Sequence, residues 1–172
     1  FALPAVLIFG AIVRVLLSLV FYGHSTDIAC FMAWGNALLN NGFAGFYTSG
    51  MFADYPPLYM AVCGGLSWVC RVFGIGYGTD GMALLFKLPA TIADILSAYL
   101  VYRIARENRL SEKFSLALAA LLLFDPVLAF VSGAWGQIDT LLTLLLVLSC
   151  RLLQREKRIS AGAVYGIAIL LK

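Results

Sequence analysis

The sequence predicts an all-α fold: a polytopic transmembrane helix bundle with one long external first loop. Three observations carry this. Of 172 residues, 62% are hydrophobic and 12% charged, about half the charge of a soluble domain, and mean hydropathy is +0.94. Apolar runs recur at the length, about 20 residues, that a helix needs to cross the hydrocarbon layer. Eight basic residues fall in two short clusters, Arg103–Lys113 and Arg151–Arg158, as the cytoplasmic preference of Lys and Arg demands. The formal net charge of +3 therefore reports membrane topology, and no nucleic-acid partner is expected.

The elements follow in order. Phe1–Tyr22 is a first span, apolar except for Arg14, which is costly in lipid and must face other helices. Ser25, Thr26 and Asp27 are good helix caps, and residues 28–39 read as a short amphipathic helix with Trp34 at an interface. Residues 42–47 (Gly-Phe-Ala-Gly-Phe-Tyr) read as a loop with aromatic anchors. Pro56 and Pro57 suit a helix start, where a missing N–H does no harm, so residues 55–72 form a second helix. Gly76–Gly81 matches GxGxxG literally, but without a βαβ unit it reads as a flexible loop before a span. Met82–Tyr102 is a span holding Lys87, Pro89 and Asp94. Phe114–Val131 and Ile138–Leu153 are further spans around a polar corner at 132–139, and Ala161–Leu171 begins another.

Charge sets the expected topology. With both basic clusters inside, 132–139 lies outside. If the helix at 55–72 lies along the membrane, the N-terminus is cytoplasmic and all of 23–81 is external. If that helix crosses, Asp27 and Asp54 move to the cytoplasmic side. The first arrangement gathers the acids on one face and is preferred. The chain is expected to be a single multi-pass membrane module, residues 1–172. Both ends look cut from a longer protein. Cys30, Cys63, Cys70 and Cys150 form no CxxC pair and read as small buried hydrophobes.

Acids gathered at one membrane face suit general-base or metal chemistry. Asp27, Asp54 and Asp139 are the candidates, each of which can also be an ordinary cap or loop residue. Asp54 precedes Tyr55-Pro56-Pro57, which fixes the local backbone, and Asp139 follows Trp135-Gly136-Gln137-Ile138. Lys87 can neutralise a phosphate, snorkel or pair with an acid. Asp94 is an intramembrane carboxylate that Arg14 can neutralise. A metal on His24 would need aspartate partners.

These residues, in this order, resemble a known family: Asp27 and Trp34, then Gly42–Tyr47, Asp54-Tyr55-Pro56-Pro57-Leu58-Tyr59, Lys87-Leu88-Pro89, and Trp135-Gly136-Gln137-Ile138-Asp139. Together they look like the N-terminal part of the GT-C superfamily of polytopic membrane glycosyltransferases. The resemblance implies two helices lying along the membrane in the first loop. It implies a polyprenyl-phosphate-linked sugar donor and a glycan, lipid or protein acceptor on the non-cytoplasmic face. Asp27 is then the base, with Asp54 and Asp139 near the donor or a divalent metal (Mg or Mn, on Asp27 and Asp139). Tyr55, Arg71, Lys87, Trp135 and Gln137 are expected to bind substrate. The rival reading is a transporter or lipid flippase using Arg14, Lys87 and Asp94.

Overall fold

A computed structural model describes residues 2–172. Its elements are α1 (Ala2–Val20), α2 (Ser25–Thr48), α3 (Pro57–Val72), α4 (Asp80–Glu107), α5 (Glu112–Leu123), α6 (Pro126–Ala129), a π-helix (Phe130–Trp135), α7 (Asp139–Gln154) and α8 (Arg158–Leu171). The described chain is all-helical, as the sequence predicts. Helices α1 and α4 are long and apolar enough to cross a membrane. The bent pair α5 with α6 and the π-helix, turned by 46°, adds a third span if it is taken as one element. This is an integral membrane architecture. Helix α3 is about 24 Å long, from its 16 residues, short of the roughly 30 Å hydrocarbon core.

Contacts divide the chain into two compact units. One comprises the first helix through His24 together with Lys87–Leu144; the other comprises Ser25–Phe86 with Leu145–Lys172.

The first unit is tied by buried polar groups. Arg14 is fully buried, and its Nε donates to Asp94 Oδ2 at 2.6 Å. Its Nη1 donates to the Leu123 carbonyl, the open C-terminal end of α5. Ser132, in the π-helix, also donates to Asp94 Oδ2. Three elements thus meet on one carboxylate. Lys87, also buried, reaches the Phe21 and Ser18 carbonyls at the end of α1, where a cation suits the negative end of the helix dipole. Small residues permit these close crossings. A Cβ on Gly10 would stand 2.8 Å from Leu123, and one on Gly133 would stand 3.1 Å from Leu17. Ala98, Ala119 and Leu123 form the apolar seam.

Asp125-Pro126 explains the 46° bend. The Asp125 carboxylate accepts from the N–H groups of Val127 and Leu128, both at 2.9 Å, which starts a new helix. The ring of Pro126 occupies its first position. The expected continuous span 114–131 is therefore broken at Phe124. Part of the expected corner at 132–139 is helical, since the π-helix runs to Trp135 and ends on Gly136 with φ 91°.

In the second unit, α2 and α3 run in the same direction. Phe31 packs edge-on against Tyr59, ring centres 5.0 Å apart. Gly35 lies directly against the Cys63 backbone. Asn40 accepts from Arg71 at 2.6 Å. The partners advance together along both helices, so residues 49–56 must return the chain. Eight extended residues reach about 26 Å, enough for this, and the Trp34 indole pins the return strand by donating to the Phe52 carbonyl at 2.7 Å. The expected loop at 42–47 is instead a helical extension. Only Gly42, at φ 66° and ψ 177°, leaves helical geometry. The helix resumes because Phe46 is buried, 1% exposed, and because Thr48 and Ser49 side chains cap the Ala44 and Phe46 carbonyls at 2.9 and 2.7 Å. The helices expected at 28–39 and 55–72 thus become Ser25–Thr48 and Pro57–Val72.

The cysteine expectation holds for Cys63 and Cys70, which are buried; Cys30 is half-buried and Cys150 exposed. Cys150 lies on α7, which at 16 residues is shorter than a full span.

Breaking the ion pair on one side leaves a buried charge with no counter-ion, at a cost of about 3–5 kcal/mol. Asp94→Ala is expected to destabilise the protein by that order. The double replacement Arg14→Met, Asp94→Leu should recover most of the loss, because apolar isosteres carry no desolvation penalty. Unfolding in a denaturant series in detergent measures both.

Candidate active site

The carboxylates expected to act, Asp27 and Asp54, both lie near Cys30 in the second unit although 27 positions separate them. Asp27 sits in the first turn of α2 and is half-buried; Asp54 is exposed on the return segment. Both bear on the Cys30 thiol: burial, then the charge of Asp54, then that of Asp27, push its pKa up. Asp27 also bears on Tyr59, where burial is the largest of several causes that raise the phenol.

Beside these acids stands an aromatic cluster. Phe31, Trp34, Tyr55 and Tyr59 have neighbouring ring centres 5.0 to 5.6 Å apart. These are tilted and edge-on geometries, the preferred ones for aromatic pairs. The Lys172 ammonium lies 5.3 Å from the Tyr55 ring centre. A half-buried carboxylate against aromatic rings can take a hydroxyl proton. Phe31, Trp34 and Tyr59 are buried, so of the four rings Tyr55 is the one that can offer a face to a pyranose.

Arg71 is elsewhere. It follows Tyr59 by 12 positions on α3, which at 1.5 Å per residue is about 18 Å. It lines a separate cavity of about 170 Å³ with Asn36, Ser67, Cys70 and Tyr77. The sequence suggested Arg71 as a substrate-binding residue, but the length of α3 keeps it from the acids of this unit.

In the first unit, Trp135 stacks on His24, ring centres 4.8 Å apart and planes 15° from parallel. The His24 amide donates to the Trp135 carbonyl at 2.9 Å. With Phe21, Tyr22, Phe130 and Ala134 they line a largely apolar cavity of about 260 Å³. Gln137 follows the π-helix, and Asp139 is exposed in the first turn of α7. Among the described residues, no three His, Cys, Asp or Glu side chains are grouped to hold a metal ion.

A family model described as Glycosyltransferase family 87 matches residues 52–172. The chain belongs to glycosyltransferase family 87. This family is of the GT-C type that the motif order resembled. No curated protein and no solved structure matches the chain. The matched region holds Asp54, Tyr55, Arg71, Lys87, Trp135, Gln137 and Asp139, while Asp27 and His24 precede it.

Sequence reasoning assigns no site role to Tyr59, Cys30 or Ser132. Tyr59 had a signal, being part of the same aromatic-proline motif as Tyr55. Ser132 had none, because its role depends on Asp94, 38 positions away.

The carboxylates beside Cys30 give a measurable pH effect. A raised thiol pKa means less thiolate at neutral pH, so Cys30 should alkylate slowly. Neutralising Asp54 should lower that pKa and speed labelling, by less than about tenfold, since tenfold requires a full pKa unit. Asp27→Asn should do the same more weakly. Rates of maleimide labelling against pH, with the other three cysteines replaced by alanine, check this.

Proposed function

We propose that this family 87 chain transfers a sugar from a polyprenyl-phosphate donor to an acceptor hydroxyl, with inversion at the anomeric carbon and Asp27 as general base. What supports this reading is that Asp27 and Asp54 both bear on Cys30, next to the cluster of Phe31, Trp34, Tyr55 and Tyr59. Asp27 accepts the proton of the acceptor hydroxyl. The oxygen attacks the anomeric carbon from the face opposite the leaving group, and the lipid phosphate departs with the bonding electrons. Asp54, in the same neighbourhood, orients hydroxyls of the bound sugar. Asp139 and Gln137 are assigned to substrate on the strength of the motif resemblance.

The departing phosphate needs a positive group. Arg71 stands about 18 Å along α3 from Tyr59; the other cation that the motif resemblance names for this role is Lys87. Its ammonium also anchors the α1 carbonyls, which fixes its position before substrate arrives. No step is routed through a metal. In this proposal the second unit's acids work on the non-cytoplasmic face, with the N-terminus inside.

The transporter reading relied on Arg14, Lys87 and Asp94 lining a path. All three are at most 1% exposed and bonded to neighbouring helices, which supports a holding role over a conducting one.

Removing a general base costs typically 10²–10⁴-fold in rate. Asp27→Asn in the full-length enzyme should lower transfer from a polyprenyl-phosphate sugar by that range, with the protein still folded. Undiminished transfer would dismiss Asp27 as the base. Cysteines placed at Thr48 and Glu107 should label from opposite sides of the membrane; labelling from one side would overturn the topology.

A further inference from the structure

We propose that the turn joining α4 to α5 is a binding site for an anionic phospholipid, independent of the transfer reaction. Helix α4 has 28 residues and is about 42 Å long, against roughly 30 Å of hydrocarbon. Its ends therefore stand in the headgroup layers. The turn at 108–111 lies at one such end, at the depth of lipid phosphates.

The cations there are not equivalent. Arg103 is engaged by Tyr99, donating to its hydroxyl at 2.9 Å, and by Glu107 at 4.0 Å. Arg106 donates to the Leu110 carbonyl at 2.7 Å and so holds the turn closed. Arg109 and Lys113 are exposed and enter no ion pair among the described residues. Arg109 is moreover held at φ 61°. It fills the position that usually takes glycine at a helix end, with Leu110 N–H bonded to Ala105 and Arg109 N–H to Arg106. A side chain there is strained, yet the chain keeps a cation at this point.

Directly beside the turn is an apolar cavity of about 280 Å³, lined by Val101, Ile104, Ala105, Asn108, Leu110 and Leu118. Its wall is apolar apart from Asn108, with the cations Arg109 on the turn and Lys113 in the first turn of α5. A lipid with a negatively charged headgroup matches both halves: an acyl chain lies in the cavity while its phosphate meets Arg109 and Lys113. A zwitterionic lipid would fill the cavity but return little from the cations.

The test is thermal unfolding of the detergent-purified full-length protein, titrated with phosphatidylglycerol or with phosphatidylcholine. Phosphatidylglycerol should raise Tm with a saturating dose response, and phosphatidylcholine should not. Each surface cation near anionic lipid changes affinity about fivefold. Lys113→Gln should weaken the response about fivefold, and Arg109→Gly with Lys113→Gln about thirtyfold. Arg109→Gly relieves the strained backbone, so its Tm without lipid should not fall; a lost lipid response then cannot be lost folding. Lys157→Gln, in the other basic turn, should respond as the unaltered protein does. Equal responses to the two lipids would overturn the site, as would an undiminished response of the double variant or an equal loss in Lys157→Gln. Displacement of phosphatidylglycerol by an equal concentration of polyprenyl phosphate would overturn the assigned occupant.

Discussion

The contact between Arg14 and Asp94 is the constraint on which the spanning unit depends. In lipid a lone guanidinium or carboxylate finds no water to solvate it, so each must be brought to the other. Asp94 then also receives Ser132 from the π-helix, and Arg14 receives the open carbonyl end of α5. One pair of opposite charges thereby specifies where four elements meet: α1, α4, α5 and the π-helix. Apolar packing alone would not do this, because lipid tails and leucine side chains are equally oily and give little preference for one helix register over another.

The π-helix is the consequence with functional reach. A wide turn inside a helix displaces the residues after it, and such turns recur at functional sites. Here it ends on Trp135, stacked on His24, and leads into Gln137 and Asp139. Lys87 closes the same region from α4 by holding the last carbonyls of α1. The polar groups buried in this unit thus fix the backbone that presents its exposed motif residues.

The second unit solves a different problem. Two helices running in the same direction require a return segment, and that segment, residues 49–56, is largely exposed and must be held to the helices. Trp34 does part of this by bonding the Phe52 carbonyl. The return then delivers Asp54 and Tyr55 to the start of α3, beside Asp27 at the start of α2. The same parallel arrangement carries Arg71 to the far ends of both helices, where it meets Asn40. The gathering of the acids and the removal of Arg71 from them are one geometric fact.

The sequence by itself determined the all-helical membrane class and the family, because composition, span-length apolar runs and ordered motifs are local or additive properties. It also placed the start of α3 at the two prolines and offered Arg14 as a partner for Asp94. Tertiary structure alone decided that this pairing occurs, that Phe46 carries α2 beyond Gly42, and that Arg71 stands apart from Asp27 and Asp54. The physical reason is the same each time. A buried charge or a shared site depends on groups far apart in the chain, and hydropathy read along the chain does not record which of them meet.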